Sequence, residues 1–87
     1  VYRVVVERNA EKDLDRLDAV IRRRVITAIR ALSDQPRPPG CRKLVGGTDD
    51  WRIRVGDYRI LYEITEIADA IRVVRVYRVR HRREVYD

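Results

Sequence analysis

Eighty-seven residues, 45% of them hydrophobic, allow one small domain with a single core over 1–87, and a net charge of +6 carried by eighteen Arg and two Lys predicts a polyanionic partner, nucleic acid or an acidic protein. One cysteine, Cys41, excludes an internal disulfide; no His/Cys cluster has metal-ligand spacing, and no apolar run approaches the ~20 residues of a membrane helix. A soluble, cytoplasmic protein with no metal, cofactor or membrane partner is therefore expected, and the lack of Met predicts a translation start upstream of residue 1.

Val1 to Glu7 reads as a short β-branched strand. Asn9 is a plausible N-cap for a first helix ending near Leu17 or Asp18, because Ala10, Leu14 and Leu17 fall on one helical face. Asp18 can cap a longer helix to about Ser33, whose apolar stripe is Ile21, Val25, Ala28, Ile29 and Leu32. Its other face carries Arg22, Arg23, Arg24 and Arg30; the Arg22-Arg23-Arg24 run reads as a solvated face, with contact to RNA phosphates as the alternative. Asp34 to Gly40 is a firm break, since three prolines and a glycine cannot continue a helix. Cys41 to Asp50 is expected to be irregular, with a turn signal at Gly46-Gly47. A hairpin follows, its second strand running to about Thr65, then a turn over Glu66 to Ala70 and a last strand from Ile71 to Val79. The fold class is α+β: an N-terminal strand, a two-helix hairpin and a three-stranded antiparallel sheet, in the order β-α-α-β-β-β.

The hairpin runs from Trp51 to Tyr62, with Gly56-Asp57 as its two-residue turn. Gly supplies the positive φ that a tight primed turn needs. A two-residue loop sets Val55 opposite Tyr58, Arg54 opposite Arg59, Ile53 opposite Ile60 and Arg52 opposite Leu61. Side chains alternate across a strand, so Trp51, Ile53, Val55, Tyr58, Ile60 and Tyr62 share one face. Arg52, Arg54, Arg59 and Leu61 share the other. Like charges gathered on a sheet face are destabilising, and guanidinium is well shaped for bidentate phosphate contact. The face reads either as solvated surface or as an anion site.

The early A-E-K-D-L-D-R-L, the P-R-P-P-G loop leading to C-R-K-L-V-G, the segment W-R-I-R-V-G-D-Y-R-I-L-Y-E-I and the terminal H-R-R-E-V-Y occur in this order. In them the chain resembles the RelE/ParE superfamily of bacterial and archaeal toxins, specifically the RelE-like ribosome-dependent mRNA interferases. The resemblance spans essentially the whole chain. It implies the RelE-like microbial RNase fold and a type II toxin that cleaves mRNA in the ribosomal A site, by attack of the ribose 2′-hydroxyl on the adjacent phosphate. It also implies mRNA and the ribosome as partners, a cognate antitoxin that is acidic or amphipathic, and a toxin–antitoxin hetero-oligomer. The family's two basic positions on the first hairpin strand fall on Arg52 and Arg54, and its second-strand arginine on Arg59. Its arginine after the last strand falls on Arg80, its near-terminal tyrosine on Tyr86, and His81 stands where many relatives also carry histidine.

Such cleavage needs a base for the 2′ proton, stabilisation of charge on the phosphorane-like transition state, and an acid for the leaving 5′ oxygen. Arg52, Arg54, Arg59 and Arg80 suit the middle role. With a pKa above ~12, arginine suits the others poorly. The type member has lysines at the first-strand positions, so the base must be found elsewhere. His81, the one imidazole, is the candidate proton carrier, with Arg80 beside the leaving group and Tyr86 stacking on a base or orienting the 2′-hydroxyl. Glu84 reads as an arginine partner and Trp51 as packing. Two other functions compete: a ParE-like toxin that inhibits DNA gyrase without nuclease activity, and a catalytically inactive RNA-binding or antitoxin-sequestering module.

Overall fold

The computed structural model describes residues 1–46 and 49–84. Its elements are β1 (Arg3–Val6), α1 (Arg8–Asp15), α2 (Ala19–Ala31), β2 (Arg42–Lys43), β3 (Asp50–Val55), β4 (Tyr58–Ile67) and β5 (Ile71–His81), followed by one 3-10 turn at Arg82–Glu84. The strands form one sheet in the order β1-β5-β4-β3-β2. Both helices lie on one face of it. The apolar sides of β3, β4 and β5, including Ile53, Ile60, Tyr62, Val74, Val76 and Val79, are buried against Ala10, Leu17, Val25, Ile29 and Leu32. Each fully buried aliphatic side chain contributes about 1.5–3 kcal/mol, so this two-layer contact is the main source of stability. The Tyr62 hydroxyl ends in the core and donates to the Pro36 carbonyl at 2.6 Å, which ties the proline loop to the sheet.

The hairpin register is the one that the two-residue turn dictates: Val55 pairs with Tyr58, Arg54 with Arg59, Ile53 with Ile60 and Arg52 with Leu61. Gly56 has φ +58 while Asp57 is not left-handed, the pattern of a II′ turn.

Other expectations change. The sheet has five strands among the described residues, not three. β1 pairs parallel with β5, a long-range choice that local pattern does not encode. The stretch read as irregular holds β2, whose two residues pair with Trp51 and Arg52 and are too few to show a period. α1 begins at Arg8 behind Glu7, so Asn9 lies inside the helix; Asp18 does sit at the α2 N-cap, but without a side-chain cap bond. β4 runs on to Ile67, and the turn contracts to three residues with Ala68 at φ 50. β5 continues to His81, so Arg80 and His81 belong to a strand rather than to a tail.

β5 also carries a bulge. Leu61 pairs with Arg78 and Tyr62 with Val76, which leaves Tyr77 as the extra residue. β1 covers β5 only through Val76. Beyond it, Asp13 of α1 closes the open edge: its Oδ2 accepts from the Val79 N–H at 2.9 Å and from Arg78 Nε at 2.9 Å, and Oδ1 accepts from Arg78 Nη2 at 3.1 Å.

Candidate nucleic-acid interface

Ladder pairing places Arg54 opposite Arg59, and Arg59 opposite Arg80. Strand alternation aims all three away from the helices. Neighbouring strands lie about 4.8 Å apart, so the three positions form a row roughly 10 Å long across β3, β4 and β5. Arg52 stands two residues from Arg54 on the same face, opposite Arg42 of β2. The row is not a uniformly solvated face. Arg54 is exposed and Arg80 half-buried, whereas Arg59 is 6% exposed and Arg52 only 1%. Arg59 Nη1 donates to the Tyr58 carbonyl at 3.2 Å. Fixed, largely desolvated guanidiniums hold their geometry and act through a lower dielectric, the condition under which they stabilise phosphate charge most.

The same face changes sign along the strands. Asp50 pairs with Glu63, and Glu63 with Arg75, at the end remote from the Gly56 turn. Arg75 bonds Glu63 at 2.6 Å and lies 3.3 Å from Glu7. Tyr77 sits between the two regions, half-buried. Burial raises its phenol above the ordinary value, and the Asp50 and Glu63 carboxylates add to the rise. Cations therefore collect near the hairpin turn and compensated pairs at the opposite end.

His81 lies on the other side of β5 from this row. It pairs with Tyr58 in the ladder, and the two rings meet edge to face at 5.3 Å and 83°. Its Nδ1 accepts from the Arg83 N–H at 3.2 Å, leaving Nε2 as the second ring nitrogen. An even step along a strand keeps a face, so His81 leaves β5 on the side opposite Arg80, yet both residues line one small cavity with Asp13, Tyr58 and Glu84. Glu84 does pair with an arginine, as read. Its Oε2 accepts from Arg80 Nη2 at 2.7 Å and its Oε1 from the His81 N–H at 3.1 Å. The Arg80 guanidinium and that backbone N–H hold the Glu84 carboxyl below the usual carboxylate range. Arg82 N–H donates to the Asp57 carbonyl at 2.7 Å, tying the chain after β5 back to the hairpin turn. Tyr86 lies outside the described residues. Trp51 is packing, as expected: Arg37 stacks over its ring at 5.1 Å, and its indole N–H donates to Asp49 at 2.6 Å.

Two contributors were missed in the sequence. Asp13 is a carboxylate three residues after Ala10 on the inward stripe of α1, and an acid on an apolar stripe is itself a signal of a buried partner. Arg42 was passed over because β2 was not recognised. Among the described residues no group of His, Cys, Asp and Glu could hold a metal ion, and no helix is long and apolar enough to cross a membrane.

The family model described as the ParE toxin of type II toxin-antitoxin systems matches residues 4–86. The chain belongs to this RelE/ParE toxin superfamily. It is accordingly a toxin of a type II toxin–antitoxin system, and the fold agrees. RelE in the archaeal RelE-RelB complex from Pyrococcus horikoshii is 27% identical, with a TM-score of 0.80 over 97% of this chain and 98% of that one. The RelBE2 complex from Mycobacterium tuberculosis gives 29% identity and 0.77 over 92% and 96%. The intact Escherichia coli RelBE complex gives 25% and 0.73 over 91% and 94%. A comparison with curated protein sequences found no match. In this toxin, the superfamily sheet presents its cations as a registered row over three strands.

Proposed function

We propose that this toxin is an endoribonuclease that cuts mRNA in the ribosomal A site and so stops translation. The observation that carries the reading is the Arg54–Arg59–Arg80 row, in register on the sheet face turned away from the helices. Guanidinium is shaped for two parallel N–H bonds to phosphate oxygens, and charge that develops on a phosphorane-like transition state is what such a row stabilises. Arg52 adds a buried cation two residues from Arg54 on β3. Proton transfer falls to other groups. His81 is the one imidazole; it meets the Tyr58 ring and lines the same small cavity as Arg80, which makes it the first candidate. His81→Gln with an unchanged pH–rate profile would remove it from the mechanism.

Primer extension on a defined mRNA in a translating extract tests the whole reading. Cuts at A-site codons are expected from the wild type, and none from Arg59→Ala or Arg80→Ala that keep native circular dichroism. Free RNA should be cut poorly, because one small basic face cannot by itself hold the 2′-hydroxyl in line. Rapid cleavage of free RNA would count against ribosome dependence.

Several of the neighbouring structures are toxin–antitoxin complexes, which supports a cognate antitoxin for this chain as well. An open apolar groove of about 550 Å³ between α2 and β3, rimmed by Arg23 and Arg24, suits an amphipathic partner with acidic residues. The matching family model carries the ParE description, which favours a second reading: inhibition of DNA gyrase through protein contact. Active, folded toxin that makes no cuts but blocks gyrase supercoiling would establish it.

A further inference from the structure

Beside β2 lies an open concavity of about 410 Å³, lined by Pro38, Pro39 and Gly40 on one side and by Arg42 with the stretch 52–54 of β3 on the other. One wall is stiff. The Cys41 N–H donates to the Pro38 carbonyl at 3.0 Å, Pro39 takes the first corner and Gly40 the second at φ +90, which makes a type II turn. A Cβ at Gly40 would meet nothing within 4 Å, so this glycine serves the turn and not a close contact. The opposite wall is cationic. Arg42 is exposed and forms no salt bridge among the described residues. It sits directly across the ladder from buried Arg52. Among the described residues no carboxylate lines the concavity.

Arg54 belongs both to this lining and to the three-strand row, so the two sites are continuous. We propose that the concavity is a second subsite for unpaired RNA, in which Arg42 holds a phosphate adjoining the one gripped by the row. The proline rings give an apolar face to the ribose or base of that nucleotide. This inference rests on the RNA-cleaving reading for its ligand. Continuity with the row and the flat proline wall favour a polynucleotide over an acidic peptide, which would need no such wall.

Binding of a short 5′-labelled oligouridylate to the whole toxin, followed by fluorescence anisotropy across a salt series, tests the subsite without requiring cleavage. Arg42→Ala is expected to weaken binding about tenfold, the loss of one charged contact. It should also lower the slope of log affinity against log salt by about 0.7, the value for one phosphate on a single strand. Arg42→Lys should keep the slope and lose part of the affinity. Pro39→Ala should weaken binding with no change in slope. Wild-type binding and slope in Arg42→Ala would overturn the proposal, as would a wild type that does not bind the oligonucleotide. Loss of an acidic peptide but not of RNA in Arg42→Ala would overturn it in favour of a protein partner. A wild type that makes no cuts in extract, while Arg42→Ala still loses RNA, would leave the subsite standing and remove the nuclease reading alone.

Discussion

Replacing Asp13 by Ala should destabilise the toxin by about 3 kcal/mol, and the structure gives the parts of that figure. Asp13 is 8% exposed and accepts three bonds: one from the Val79 N–H and two from Arg78. Without it the Val79 N–H is a buried donor with no partner, because β1 has already ended at the register of Val76. Stranding such a donor costs about 1–3 kcal/mol. The Arg78 side chain is 34% exposed and can rehydrate, so its lost pairing adds only about 1 kcal/mol. A domain of this size is stable by roughly 4–13 kcal/mol, so the loss is large but leaves a folded protein. Urea unfolding of wild type, Asp13→Ala, Asp13→Asn and Arg78→Ala, with an unchanged m-value, reads it directly. Asparagine keeps an acceptor for Val79, so Asp13→Asn should recover about half of the loss. Arg78→Ala should cost less than Asp13→Ala. Equal costs for Arg78→Ala and Asp13→Ala, or a loss below about 1 kcal/mol for Asp13→Ala, would refute the argument that the strand edge is what Asp13 serves.

Ala68 holds φ 50 in the β4–β5 turn, so Ala68→Gly should raise stability by up to about 1 kcal/mol in thermal unfolding; a decrease would mean that the alanine methyl packs usefully there. Tyr62→Phe should cost about 1 kcal/mol through the lost bond to Pro36. Burial raises the Tyr62 phenol above its ordinary value of 10.0, so the wild-type fold should lose stability as pH rises beyond 10, where the unfolded phenol ionises and the folded one does not. That alkaline slope should be shallower in Tyr62→Phe. Glu84 is held below its ordinary value by Arg80 and the His81 N–H, so its clasp is present at pH above about 4.5 and is lost as pH falls through the lowered value. Carboxyl NMR titration should move Glu84 up toward the ordinary range in Arg80→Ala, the His81 N–H still holding it partly down, and an unmoved titration would contradict the pairing.

Much of the central hairpin was legible because its signals are local. Gly56 at the turn fixes the loop at two residues, the loop fixes the register, and the period of two then assigns every face from Trp51 to Tyr62. The apolar stripes of both helices were legible for the same reason, since Val25, Ile29 and Leu32 are spaced to meet one surface. The candidate site was legible only in part. Arg54 and Arg59 follow from the turn, but Arg80 joins them through β4–β5 pairing across a bulge at Tyr77, and no local pattern announces a bulge. His81 stands out in the sequence as the one imidazole, but its edge-to-face contact with Tyr58 and its share in the cavity beside Arg80 and Glu84 depend on the tertiary structure.

By itself the sequence determined composition, charge, the helix stripes, the hairpin register and the family pattern, all of which depend on spacings of a few residues. Tertiary structure alone decided that β1 lies parallel to β5, that Asp13 closes the edge β1 leaves open, and that Arg52 and Arg59 are buried while Arg42 and Arg54 are not. Those outcomes depend on contacts between segments tens of residues apart. The free energy of such contacts is set by which surfaces exclude water together, and no short window of sequence contains it.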